Sequence, residues 1–243
     1  SLYHDDVMDE AEMRRNVPSV NAVWGNHTAI LAGDFLLARA SEIAASLGTE
    51  IAGLLARTIG ELCEGQILEL QSTYKPSRTE ESYEQSIAGK TASLLSTACR
   101  IGGLTGGLER HTVDQLTTFG HTYGMAFQIV DDILDVIASE DQLGKPAGND
   151  LIEGVYTLPV LLALESDVGE QLHELLGKEL STDERDRALS LIRSTGAVEE
   201  AFTRAQFWAQ KAKLELESLP SSPATNALSA ATNHLLDRAQ SAS

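Results

Sequence analysis

Apolar side chains recur at three- and four-residue steps along most of the chain. From Ala22 to Ala45 the pattern runs through Ile30, Leu31, Phe35, Leu36 and Ile43, and it returns from Ile51 to Leu70, Glu80 to Ile101 and Val113 to Ile137. Spacing of this kind predicts helices with one apolar face. The six prolines leave those stretches free of breakers. Three helix starts carry capping-box chemistry: Ser77 with Glu80, Thr112 with Gln115, and Ser181 with Glu184. No turn signal separates alternating apolar runs, so strands are not expected. Gly102–Gly107 reads as a connector between two helices, and Ser139–Thr157 as the longest irregular stretch. Beyond Pro220, Leu228, Leu235 and Leu236 keep helical spacing. The expected fold is all-α, about ten helices in one bundle-like domain over residues 1–243, with no internal linker.

Composition narrows the function. The longest apolar candidate, around Ala29–Ala40, is interrupted by Asp34, so no transmembrane span is predicted. No charged-then-apolar leader opens the sequence. The 36 acidic against 18 basic residues give a formal charge of −18, unsuited to nucleic-acid phosphates and better suited to metal cations. Two cysteines, Cys63 and Cys99, make neither a disulfide framework nor a zinc pattern and fit a reducing cytoplasm.

The chemistry lies in two acidic clusters, Asp5-Asp6-Val7-Met8-Asp9 and Asp131-Asp132-Ile133-Leu134-Asp135. Residues four apart share a helical face, so Asp5 pairs with Asp9 and Asp131 with Asp135. Fourteen Asp in 243 residues give a chance expectation of about 0.05 for one such DDxxD and on the order of 0.001 for two. Two copies therefore weigh against an ordinary solvated acidic face. The second copy also sits inside an apolar helix, where clustered carboxylates are costly unless a cation stands opposite. Mg²⁺ is typically held by a few carboxylates, with water and substrate phosphates completing its shell. Arg14, Arg15, Lys90 and Lys145 are the basic residues placed to hold a diphosphate beside such metals. Lys90 taken alone reads better as a surface lysine. The six histidines form no ligand pattern, and His4 is at most a neighbour of the metal site. Phe119, Tyr123 and Phe127 read as core.

These motifs resemble those of the trans-type polyprenyl diphosphate synthases. The first aspartate region with Arg14-Arg15, Gly33-Asp34-Phe35-Leu36-Leu37, Glu64-Gly65-Gln66, Gly89-Lys90-Thr91, the block from Phe127 to Asp135, and Gly144-Lys145-Pro146 with Asn149-Asp150-Leu151 occur in the family's order. The resemblance spans essentially the whole chain. It implies a helical bundle around a central cavity, a homodimer, and Mg²⁺-dependent condensation of isopentenyl diphosphate onto an allylic diphosphate. By matching position, Asp5, Asp9 and Asp131 are implied as the main Mg²⁺ ligands, with Asp6, Asp132 and Asp135 as ligands or their supports. Arg14, Lys90, Gln128 and Lys145 are implied to hold the allylic diphosphate, Thr91 to sit beside the developing carbocation, and Arg15 to contact isopentenyl diphosphate.

Three features depart from the family pattern. The N-terminal segment that usually grips isopentenyl diphosphate is expected to be missing, because Ser1 stands four residues before Asp5. A chain starting there is expected to be a weak synthase by itself. Val155 stands where many relatives carry a lysine, and Asn16 replaces a common glycine. Two other readings share these residues. A terpene cyclase typically carries an Asn/Ser/Glu-type triad where this chain has its second DDxxD. A non-catalytic partner subunit tends to lose one or both aspartate motifs. Product length is the last expectation. In this family a bulky aromatic one turn before the first motif floors the cavity; Ser1, four before Asp5, is small, and Tyr3 falls about 200° round the helix. A product longer than the three-unit farnesyl chain is expected.

Overall fold

The computed structural model describes residues 1–15, 17–138 and 147–242. Chain contacts divide it into two compact units, Ser1–Arg57 and Thr58–Ser243. The division falls within helix α4 (Thr49–Ser72), where no Pro, Gly pair or charge run marks it in the sequence.

In the first unit, α1 (Leu2–Met8) packs on α2 (Val20–Trp24) and α3 (Asn26–Ser46). The periodicity beginning at Ala22 suggested one unbroken helix. Gly25, at φ 81°, instead separates α2 from α3, using backbone freedom that a residue with a Cβ lacks. Gly33 serves another purpose. A Cβ there would lie 2.5 Å from the His4 ring, so its absence lets α1 sit against α3. The structure also contains an antiparallel ribbon, β1 (Met13–Arg14) with β2 (Val17–Pro18). Two residues per strand are too few to leave an alternation, which is why the sequence predicted no strand.

The second unit is built round α7 (Arg110–Ile137), packed against α6 (Ser93–Thr105), α12 (Ala197–Glu217) and α13 (Pro223–Ala242). Ala201, Ala205, Ala209 and Ala212 recur along the buried face of α12, so its backbone approaches α7 closely. Phe119, Tyr123 and Phe127 form a row along α7, with ring centroids 5.7 and 6.4 Å apart, packed at the edge of the core as expected. Between α5 (Glu80–Ile87) and α6 the helix makes a π turn, Ala88–Ala92. Short helices follow: α8 (Asn149–Ile152), the wholly apolar and mostly buried α9 (Leu158–Leu164), α10 (Gly169–Leu175) and α11 (Thr182–Arg193).

Of the three predicted caps, Ser181 with Glu184 forms a full capping box at α11. The helix after Ser77 is instead capped by Thr79, whose side chain accepts from the Ser82 N–H. α7 starts after Glu109 rather than at Thr112. The Gly102–Gly107 connector begins later than expected, since α6 runs through to Thr105. Burial of the Gly103 face against Val113 holds the extra turn in place.

Candidate active site

In the first unit Asp5, Asp6 and Asp9 lie on and just beyond α1, with Asp9 donating its N–H to the Asp5 carbonyl at 2.9 Å. The three carboxylates have separate surroundings. Asp6 is 1% exposed and is gripped through one oxygen by Arg14, Nε at 2.7 Å and Nη2 at 2.6 Å. Asp9 is exposed and Asp5 half-buried. Arg14 reaches Asp6 from β1, eight residues along the chain, and Arg15, at φ 53°, stands in the turn that follows. In this structure the Arg14 guanidinium is thus engaged with Asp6, and Arg15 is exposed. Asn21 adds a tie, donating through Nδ2 to the carbonyls of Asp6 and Ala11. His4 meets Asp34 at 3.1 Å.

In the second unit the same division recurs on α7. Asp131 is exposed, while Asp132 and Asp135 are buried. Asp132 accepts from the Tyr83 hydroxyl at 2.5 Å through one oxygen and from Gln128 Nε2 at 2.8 Å through the other. The Gln128 carbonyl in turn accepts from the Thr91 hydroxyl at 2.6 Å. Burial pushes the Asp132 carboxyl up to about 7, against the two hydrogen bonds that pull it down. Tyr83 is raised well above its ordinary value by the same burial, with the Asp132 charge adding to it. Asp135 fixes the chain that follows: its carboxylate accepts from the Asp150 N–H at 3.2 Å and its carbonyl from the Gly148 N–H at 2.8 Å.

The π turn presents Lys90 and Thr91. Lys90 forms an ion pair with Glu69 of α4. This arrangement needs α4 and the π turn to touch through their backbones. A Cβ on Gly65 would lie 2.5 Å from the Lys90 nitrogen, and one on Gly89 2.7 Å from the Glu61 carbonyl oxygen. The glycines of the Glu64-Gly65-Gln66 and Gly89-Lys90-Thr91 motifs are therefore packing residues that let a cation stand beside α4.

The structure brings together Lys90, Thr91, Gln128 and Asp132 within the second unit, and Asp5, Asp6, Asp9 and Arg14 within the first. Lys145 lies outside the described residues, as does Asn16. Sequence reasoning missed Glu69 and Tyr83. Glu69 follows Gln66 by three positions on α4 and was findable as its helical neighbour. Tyr83 stands alone on α5, and nothing local distinguishes it from a core tyrosine. Among the described residues no three His, Cys, Asp or Glu side chains converge on one point as a metal cage. Mg²⁺ does not require one: pairs of hard oxygen donors one helical turn apart suit an ion that keeps waters and shares substrate phosphate oxygens. No described helix is long and apolar enough to cross a membrane.

Comparison with known proteins identifies the family. The polyprenyl synthetase family model matches residues 1–192. A nonaprenyl diphosphate synthase of Mycobacterium tuberculosis is 41% identical over 241 residues, 98% of this chain and 72% of that protein. Component 2 of a heptaprenyl diphosphate synthase from Geobacillus stearothermophilus is 40% identical over 94% of this chain and 72% of its own length. Among solved structures, a polyprenyl synthase from Caulobacter crescentus, complexed with calcium and isoprenyl diphosphate, superposes with a TM-score of 0.92 at 32% identity. The match covers 98% of this chain and 74% of that one. With the ordered motifs, the helical fold and relatives at this identity in agreement, the chain belongs to the polyprenyl synthetase family of prenyl-transferring enzymes.

Proposed function

We propose that this protein condenses isopentenyl diphosphate with an allylic diphosphate in a Mg²⁺-dependent reaction and releases a trans-polyprenyl diphosphate longer than farnesyl. The observation that carries this reading is the division of labour repeated in both acidic clusters. The middle carboxylate of each is buried and held by the protein, Asp6 by Arg14 and Asp132 by Tyr83 and Gln128. Asp5, Asp9 and Asp131 keep access to solvent and are assigned as the metal ligands, with Asp135 supporting the second cluster. When bound, the metal would neutralise charge developing on the departing diphosphate.

The chain's own residues supply the rest. Lys90 adds a point charge toward the diphosphate and exchanges its Glu69 partner for it. Arg14, Arg15 and Lys145 are assigned to the two diphosphates as further cations. Gln128 is assigned with Lys90 to the allylic diphosphate, and Thr91 turns its hydroxyl dipole toward the allylic cation left when the carbon–oxygen bond breaks. The isopentenyl double bond attacks that cation and a proton leaves; the released diphosphate is the base, since no His or Glu of these motifs is placed for it.

Relatives named nonaprenyl and heptaprenyl synthases support a long product. So does Ser1, whose carbonyl accepts the Asp5 N–H and which therefore lies one turn before the metal ligands. The exposed Leu31, Phe35 and Ile43 along α3 favour assembly as a homodimer. The alternative is assembly with a second polypeptide, suggested by the component names of two relatives. We assign the reaction to the cytoplasm, supported by two cysteines that form neither a disulfide framework nor a zinc pattern. The deciding assay is incorporation of labelled isopentenyl diphosphate by this protein alone, with Mg²⁺ and with chelator, followed by chromatography of the dephosphorylated products. Asp5→Ala and Asp131→Ala should each lose turnover on the order of 10²-fold or more while keeping the helical circular-dichroism signal. Near-parental turnover of either variant, or a farnesyl-only product, sinks the reading.

A further inference from the structure

Arg78 immediately precedes Thr79, the cap of α5, and its side chain is 8% exposed. Its Nη1 donates to the Tyr156 carbonyl at 3.1 Å, while Nε and Nη2 are buried without a hydrogen-bond partner among the described residues. The guanidinium carbon lies 5.5 Å from the centroid of the Tyr83 ring. Burial lowers the Arg78 pKa, and the charges of Glu69, Tyr83 and Asp132 act in the opposite direction. A buried cation with two unmet donors is a poor stabilising device. An apolar side chain of similar volume is often neutral or better at such a position. Packing alone therefore does not account for this arginine.

Its contacts do. The Tyr156 carbonyl, Arg78, Tyr83, Asp132, Gln128 and Thr91 form an unbroken series of contacts. The series joins the segment after α8 to α5, α7 and the π turn. A cation over the ring face draws electron density from the phenol and strengthens its O–H as a donor to Asp132. We propose that Arg78 is a positioning residue for the diphosphate-binding groups, holding Tyr83 and through it Asp132, Gln128 and Thr91 in register with the segment at Tyr156. This rests on the reading of Lys90 and Gln128 as diphosphate-holding groups, with Thr91 beside the allylic cation, given above.

The test compares the parent with Arg78→Met, which keeps the apolar stem, and with Arg78→Lys, which keeps the charge. Binding of inorganic diphosphate in the presence of Mg²⁺ is measured by calorimetry, and Tm is measured beside it. Arg78→Met should bind about tenfold or more weakly with Tm unchanged or raised, and Arg78→Lys should recover part of the affinity. Arg78→Met binding within twofold of the parent, or a loss of binding matched by a fall in Tm, overturns the proposal. A parent that binds Mg²⁺-diphosphate but never incorporates isopentenyl diphosphate overturns the synthase reading alone. A parent that binds no diphosphate overturns both.

Discussion

Gly60 and Gly65 stand five residues apart on α4, and the structure predicts opposite outcomes for the same substitution. A Cβ added at Gly60 meets nothing within 4 Å. Gly60→Ala should therefore gain only the helix-propensity difference, stabilising the protein by about 0.5–1 kcal/mol. At Gly65 the added carbon would stand 2.5 Å from the Lys90 nitrogen, 2.7 Å from the Ser86 oxygen and 2.9 Å from the Gly89 carbonyl carbon. All three are backbone atoms, so no side chain can swing aside. Restoring ordinary contact at about 3.4 Å requires the π turn and α4 to part by roughly 0.9 Å. Overpacking of this kind costs about 1–3 kcal/mol, against which the propensity gain of about 1 kcal/mol works. Gly65→Ala should thus unfold at lower urea than Gly60→Ala by a gap of about 1–3 kcal/mol. The same displacement should reach function, because the parting atoms include the Lys90 backbone. A misplacement of about 1 Å can cost 10²-fold in rate, so turnover at saturating substrate should fall at least tenfold in Gly65→Ala and stay parental in Gly60→Ala. Equal stability of the two variants, or parental turnover in both, would refute the close-contact argument.

Two further outcomes follow from single side chains. Asp132 carries a folded-state pKa of about 7 against an ordinary 3.8. The native state thus keeps a proton that the unfolded chain releases, and stability present below pH 4 is lost as pH rises from about 4 to 7. Urea melts with chelator at several pH values should show that slope in the parent and not in Asp132→Asn; the same slope in both would count against it. Ser181→Ala removes the cap of α11 and should cost about 1 kcal/mol in urea unfolding at pH 7, whereas an unchanged midpoint would mean that the box contributes nothing.

Long, strongly periodic elements were legible. The patterns over 51–70 and 113–137 became α4 and α7 nearly end to end, because burial on one face and helical hydrogen bonding along the axis favour the same conformation. The 80–101 pattern predicts helix without the π turn inside it. Apolar periodicity records which face is buried, and a single offset of about 100° from one extra residue passes for one irregular step within an otherwise helical pattern. Strand β1 escaped because its ladder with β2 holds only two residue pairs, Met13 with Pro18 and Arg14 with Val17, too few to leave an alternation. The acidic clusters were legible as chemistry because four-residue spacing defines a shared face. That spacing does not tell which carboxylate turns inward. What marks out Asp6 is Arg14, and what marks out Asp132 is Gln128 together with Tyr83, the latter 49 positions away along the chain.

The π turn bears on how this chain tolerates insertion and deletion. Each residue of an α-helix turns the chain by about 100°. A five-residue π turn holds one residue more than the regular helix needs there, and such bulges are frequent at functional sites. Losing one residue between Ala88 and Ala92 would let α5 and α6 join as one regular helix, with both ends keeping their faces toward α7. The same loss would withdraw Lys90 from Glu69 and Thr91 from Gln128. Length change at this point therefore separates what folds the second unit from what equips it. Its architecture has room to spare by one residue, and its chemistry has none.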